Sequence, residues 1–198
     1  MEDPARFERA IAAIDAANAG DPHTLDFRGQ QRPKEQVHAE LATTWVSRLS
    51  ADPSEALLLA ARAHHLRRWQ LQRNQYPDGR SGYLRWRKEL QARHASEAAE
   101  ILSTAGYGPE LIERVRDLIR KRGLGRDPEV QALEDALCLV FVETQLADFA
   151  TRHDRAKVID ILFKSLRKMS PAGRSAAGEM SLSQAERELL ALAVEQLD

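Results

Sequence analysis

The chain has a single cysteine, Cys138, in 198 residues. That excludes an internal disulfide framework and any metal site built from several thiolates. Long apolar runs are also missing: none approaches the roughly 20 residues that a helix needs to cross a bilayer. The opening MEDPARFERA lacks the apolar stretch of a secretory signal. The expectation is a soluble, cytoplasmic protein with no membrane contact. Nor is there an excess of charge of one sign. The net charge of −1 excludes a broadly basic surface for duplex DNA. Strand signals are scarce, and no internal repeat or low-complexity segment stands out. The loop YPDGRSGY lacks the lysine and spacing of a phosphate-binding glycine loop.

What the chain does have is helix periodicity. A hydrophobic share of 43% with 30% charged residues suits a globular core, and the length suits one domain spanning 1–198. The pattern predicts a single all-α globular bundle of about eight helices. Pro4 opens the first, which closes near Gly20. The stretch GDPHTLDFRGQQRP reads as a loop. From Lys34 to Leu49, Val37, Leu41, Trp45 and Leu49 recur at four-residue steps, one apolar stripe of an amphipathic helix. Asp52, Pro53 and Glu55 mark the start of a third helix running to about Gln72. A fourth spans about Tyr83 to Thr104, and a fifth runs from Pro109 towards Gly123. Asp127-Pro128 starts a sixth that reaches about Ala150. It contains ALCLVFV (Ala136 to Val142), apolar on every face and therefore central. Helices near Arg155–Met169 and Ser183–Leu197 complete the set, the last with a Ser183/Glu186 capping box. SPAGRSAAGE between them reads as a loop, so 170–198 is a C-terminal loop and helix.

Charge is distributed unevenly along this framework. Between Arg62 and Arg93 nine Lys/Arg stand against two acids, a local balance of +7 that leaves −8 for the rest. Such a concentration focuses positive potential even on a near-neutral protein. Within it, His65, Arg68, Trp69 and Gln72 share a face of the third helix, and Trp86, Leu90 and His94 form a stripe on the fourth. Arginine forks suit carboxylate or phosphate, and aromatic rings stack a base or another arginine. The expectation is a pocket for an anionic, phosphorylated or nucleotide-like small molecule.

Metal ligands are also at hand. His38, Glu40, His64, His65, His94, Glu134 and Asp135 offer imidazole nitrogens and carboxylate oxygens suited to a divalent metal such as iron, zinc or manganese. Adjacent helical residues diverge by about 100°, so one of Glu134 and Asp135, and one of His64 and His65, faces inward.

Two resemblances follow from these residues. His38, then His64-His65, then the distant Asp135 resembles the H…HD…D order of the all-helical HD superfamily of metal-dependent phosphohydrolases, with His94 similar to the extra histidine of some members. Here the doublet reads His-His where that superfamily has His-Asp. The strings ARAHHLRRW, YPDGRSGYLRWRKEL, ARHASEAAEIL, GYGPELIERVRDLIRK, DPEVQALEDALCLVFVE and LRKMS resemble the family called domain of unknown function four-two-zero-two, over about 34–169. That resemblance implies a site drawn from Glu40, His65, Arg68, Trp69, Arg73, Tyr76, Pro77, Arg80, Tyr83, Trp86, Arg87, His94, Lys121, Gln131, Glu134 and Asp135.

Together these readings yield an expected metal-dependent, HD-like hydrolase. His65, His94 and Asp135 would hold the metal. Glu40 and Glu134 would serve as further ligand or base. Arg68, Trp69, Arg73, Tyr76, Arg80, Tyr83, Trp86, Arg87 and Lys121 would bind the substrate. A different class remains open at this stage: a non-catalytic helical module recognising a nucleotide, an RNA end or an acidic partner through the same surface. RNA binding would demand exposed stacking rings and steep salt dependence. A third reading has the arginines paired with the chain's own acids. Nothing in the sequence fixes an oligomeric state.

Overall fold

A computed structural model describes residues 3–197. It is all-α apart from one short hairpin, with ten α-helices: α1 (Pro4–Asn18), α2 (Lys34–Leu49), α3 (Glu55–Ala63), α4 (Gly79–Thr104), α5 (Pro109–Ile119), α6 (Pro128–Thr144), α7 (Leu146–Arg152), α8 (Arg155–Leu166), α9 (Pro171–Gly178) and α10 (Gln184–Val194). The helix starts show why the sequence breaks where it does. Asp3, Ser54, Asp127, Asp154, Ser170 and Ser183 each cap a helix with a side-chain oxygen, satisfying amide groups that have no partner in the first turn. The Ser183/Glu186 capping box forms as expected. No described helix is long and apolar enough to cross a membrane.

α6 lies centrally, packing on α2, α5 and α9, while α3 packs on α2 and α5 and α4 lies along α5. Leu133, Ala136, Leu139, Val140 and Val142 of α6 are buried, which explains its all-round apolar sequence.

The structure departs from the sequence expectation at five places. Residues 24–33 are an antiparallel hairpin, β1 (Thr24–Phe27) and β2 (Gln30–Pro33), turned by Arg28 and Gly29 at positive φ. Four residue pairs are too few to leave an alternating pattern. The third helix begins one cap later, at Ser54, and ends at Ala63 instead of running to Gln72. Short 3-10 turns at Arg68–Gln70 and Arg73–Gln75 follow. His65, Arg68, Trp69 and Gln72 therefore do not share one helical face. The expected sixth helix breaks at Gln145 into α6 and α7. Finally, PAGRSAAG is a helix, α9, capped by Ser170. Its small residues mimic a loop composition but let the helix approach α6 closely: a Cβ on Gly173 would lie 2.6 Å from Asp135 Cγ.

Candidate functional site

The first turn of α2 begins after Pro33, which offers no side-chain cap. Asp21, from before the hairpin, supplies one: its Oδ2 accepts the Glu35 amide at 3.0 Å and its Oδ1 the His23 amide at 2.9 Å. Glu35 and His38 then project from the same helical face, three residues apart. At the end of α3 the chain turns sharply through His64, His65 and Leu66. Arg67 sits at φ 48°, a left-handed conformation that costs a non-glycine residue roughly 1–2 kcal/mol. The Oδ1 of Asn18, the buried last residue of α1, accepts the Arg67 amide at 3.0 Å and pins the turn. Backbone strain held in place by such a partner is characteristic of sites that need a particular geometry.

That geometry gathers charged and ligating groups around Glu35. Its Oε2 lies 3.2 Å from His65 Nδ1 and 3.5 Å from His38 Nδ1, and its Oε1 lies 3.9 Å from Arg68 Nε. One ligand atom each from Glu35, His38 and His65 falls within 4.8 Å of the others. The Glu35 Oε2 and His65 Nδ1 atoms are closed off from solvent without a well-aligned hydrogen-bond partner. The His64 and His65 rings are 3.9 Å apart and those of His65 and His94 5.8 Å, so four imidazoles cluster here.

Hydrogen bonding fixes most of their tautomers. His64 Nδ1 donates to the Ala61 carbonyl at 3.0 Å and His94 Nδ1 to the Leu66 carbonyl at 2.8 Å, because a carbonyl can only accept. Each neutral ring therefore presents Nε2 as a lone pair, and that of His94 is buried without a partner. Thr144 donates its hydroxyl to the Val140 carbonyl at 2.7 Å, so it accepts from His38 Nε2 at 3.1 Å. In its neutral form the His38 ring then aims the Nδ1 lone pair at the carboxylate, and in its charged form an N–H. Two electron-rich atoms facing each other call for a cation or a proton between them. His65 Nε2 faces Arg68 Nη1 at 3.0 Å; arginine can only donate, so Nε2 accepts and Nδ1 carries the proton.

Burial lowers the His64 pKa to about 3 and the His94 pKa to about 4, so both rings are neutral near pH 7. Burial, with His64 and Arg68 beside it, also pushes His65 well below the ordinary histidine range. Burial alone would raise the Glu35 carboxyl; His65 and His38 facing it outweigh that and hold it well below the usual carboxylate range. The centre is thus an anionic carboxylate facing imidazole nitrogens, an oxygen and nitrogen donor set suited to a divalent transition metal.

The arginine and aromatic candidates adjoin this centre unevenly. Arg68 lies over the Trp86 ring at 5.2 Å, and Trp86 Nε1 donates to the Leu71 carbonyl at 3.0 Å. Arg87 lies over Tyr83 at 5.8 Å, with Tyr83 42% exposed. Trp69 is half-buried, with a ring carbon 4.0 Å from where a Cβ on Gly20 would stand. Arg73 braces its own turn, donating to the Tyr76 carbonyl at 2.9 Å, and Arg80 is exposed in the first turn of α4. Lys121 pairs with the buried Glu134, and Lys168 approaches the same carboxylate at 4.0 Å.

Two of the expected acids are occupied elsewhere. Glu40 turns to the hairpin, where Arg32 grips it in a fork at 2.7 and 2.8 Å. It borders a surface concavity of about 370 Å³ beside Phe27 and Arg28. Asp135 Oδ1 accepts the Ser170 amide at 3.0 Å and the Gln131 amide group at 2.9 Å, and its Oδ2 accepts the Ser170 hydroxyl. It is not among the three residues that converge as ligands. A larger concavity of about 710 Å³, bordered by Trp45, Arg48, Glu143 and Met180, also lies apart from the histidines. Burial pushes the Cys138 thiol up to about 12, leaving it an inert core group.

Glu35 was missed by the sequence reading although its signal was there. Glu35-Gln36-Val37-His38 has the Glu-x-x-His spacing by which helices place two ligands on one face. Lys168, Asn18, Asp21 and Thr144 carried no comparable signal, since each acts through a partner distant in sequence.

The profile of a family described as Domain of unknown function (DUF4202) matches residues 8–190. The chain belongs to that family. The match extends beyond the 34–169 span of the sequence resemblance, so the DUF4202 unit includes α1 with its Asn18, the hairpin with Asp21, and α9. Searches of curated proteins and of solved structures returned no match.

Proposed function

We propose that this protein is a metal-dependent, HD-like hydrolase acting on a phosphorylated, nucleotide-like anionic small molecule. The observation that carries the reading is the buried Glu35 carboxylate facing His38 Nδ1 and the edge of His65. Glu35, His38 and His65 would hold the metal, with Thr144 supplying the acceptor that orients the His38 ring. The reading keeps the HD-like order of histidines and puts Glu35 in place of the acid missing from the doublet. A bound divalent ion lowers the pKa of its water and polarises a phosphoryl oxygen. Arg68, beside the Glu35 carboxylate and free of any bidentate carboxylate partner among the described residues, would orient the anionic group. The His94 Nε2 lone pair, buried and unpaired, is available as a further ligand or as an acceptor for substrate.

Two histidines and one carboxylate also make the ligand set of oxygen-activating iron sites, and this set favours that chemistry as a second reading. Metal identity separates the two. Protein purified without chelator is analysed by plasma mass spectrometry, beside Glu35→Ala and His38→Ala. It is then assayed with phosphorylated metabolites in Mn²⁺, Zn²⁺ or Fe²⁺. Stoichiometric metal that both variants lose, with phosphate release, supports the hydrolase. Iron with substrate-dependent oxygen uptake and no phosphate release supports the second reading. Wild-type protein that binds none of these ions, even when they are added back, overturns both.

A further inference from the structure

Beside the histidine centre, the buried Glu134 lies between two lysines contributed by separate segments, with Arg87 within electrostatic reach. Lys121 pairs with its Oε2, Lys168 Nζ is 4.0 Å from its Oε1, and Arg87 stands near enough to help hold its carboxyl down. Two ammonium groups thus converge on one buried carboxylate, and Arg87 adds to the positive field there. Arg87 forms no hydrogen bond or ion pair among the described residues, only the contact over Tyr83. Like charges converging on one place repel, and an anion entering among them relieves that repulsion.

The backbone is arranged to keep the cations there. α5 ends in a paired turn in which the Arg122 amide bonds the Asp117 carbonyl at 2.9 Å and the Lys121 amide the Leu118 carbonyl at 2.9 Å. The residue at the left-handed position of such a turn is most often glycine. Here it is Lys121, at φ 56°. Lysine has no conformational advantage at that position, so its ammonium group is what the position supplies. On the opposite side, Gln131 holds the Lys168 carbonyl at 2.9 Å and Asp135 holds the Ser170 amide at 3.0 Å. These two α6 residues, one about a turn before Glu134 and the other next to it, fix the segment that brings Lys168 to it.

We propose that Arg87, Lys121 and Lys168 form a phosphate-anchoring subsite in which Glu134 holds the lysines ready until a phosphoryl group displaces it. The subsite deepens the proposed hydrolase, and rests on it for its biological meaning. It gives the substrate a second anionic group, held apart from the one at the metal, as in a nucleoside diphosphate or a bisphosphorylated small molecule. Binding itself requires no metal. Orientation by ammonium and guanidinium groups makes the subsite selective for compact dianions over monoanions.

The test uses the full-length protein treated with chelator and titrated calorimetrically with inorganic phosphate, with chloride as the monoanion control. Saturable phosphate binding is expected, weakened about tenfold or more in Lys168→Met and in Arg87→Met. Glu134→Gln, which removes the competing carboxylate, should bind phosphate several-fold more tightly. A purely structural Lys121–Glu134 pair would give no such gain. Lys168 is surface-accessible, so its variant folds even if Lys121→Met does not. No saturable binding, or binding unchanged in both the Lys168 and Arg87 variants, overturns the subsite. Metal content is measured in the same samples. Metal retained while phosphate fails to bind removes the subsite and leaves the hydrolase reading standing.

Discussion

Removing Arg68 should strengthen metal binding, although Arg68 belongs to the site. Its guanidinium stands 3.9 Å from Glu35 and donates to His65 Nε2 at 3.0 Å. Both contacts oppose a metal. A cation at His65 Nδ1 displaces the proton there and requires Nε2 to carry one, and a protonated Nε2 meets an arginine that can only donate. The guanidinium also repels the ion itself. Two unit charges at about 4 Å interact by about 1 kcal/mol in water and about 4 kcal/mol at the effective dielectric of a partly buried pair. The Arg68 side chain is 34% exposed, which favours the lower figure, but a divalent ion doubles it. The expected gain in Arg68→Met is about 1.4–2 kcal/mol, a factor of about 10–30 in Kd. Competition titration of Zn²⁺ or Mn²⁺ against a chromophoric chelator measures it directly. The same variant should lose affinity for the anionic substrate, because metal loading is what releases Arg68 towards it. An Arg68→Met protein with unaltered secondary structure and an equal or weaker metal Kd would refute the placement of the ion among Glu35, His38 and His65.

Asn18→Ala leaves the strained Arg67 amide without its acceptor. It should cost about 1–3 kcal/mol in urea unfolding and also weaken metal binding, since His65 and Arg68 lose their fixed turn. Equal stability would show that the turn holds itself. Asp127 caps α6 and forks onto Arg114, which with the cap amides lowers its carboxyl from 3.8 to about 2. The folded state therefore binds this proton less readily than the unfolded chain. The resulting stability is present above about pH 4 and lost as pH falls through 2. Asp127→Asn keeps the cap but not the charge, so a loss of about 1 kcal/mol at pH 7 should vanish near pH 2 in denaturant titrations. Gly173→Ala puts a methyl 2.6 Å from Asp135 Cγ. Overpacking of that kind costs about 1–3 kcal/mol, and melting should register it together with weaker phosphate binding as the Lys168 segment shifts. A variant as stable as wild type would mean that α9 moves without consequence.

The helical class and most helix starts were legible because capping residues and apolar spacing are local. The site was legible only in its ingredients. His65, His94, Arg68 and Arg87 could be picked out as residue types, but a continuous third helix would have set them on the wrong faces. What reorganises them is the left-handed Arg67, and its cause is Asn18, which lies 49 positions earlier. Asp135 shows the converse. An acid preceding an apolar run reads as a ligand, yet its partners lie on Ser170, whose own segment looked like a loop.

The concentration of positive charge in residues 62–93 gains meaning once each arginine is followed to its partner. Arg62 is forked onto Asp15 at 2.6 and 2.7 Å, and Arg67 and Arg93 both close on Glu97. Those three are the chain's own acids and bases neutralising one another across α1, α3 and α4, as partial burial of such groups requires. Arg73 serves the backbone of its turn. Arg68 and Arg87 are half-buried exceptions, while Arg80 and Arg85 stand exposed with no acidic partner among the described residues. Arg68 rests on a histidine and the edge of a crowded carboxylate, Arg87 over an exposed tyrosine, and neither has a bidentate acidic partner among the described residues. A chain that supplies acids for Arg62, Arg67 and Arg93 and no bidentate one for Arg68, which rests against the histidine cluster, has left positive charge where an external anion can use it. Net charge could not reveal this, because paired and unpaired arginines count alike in it.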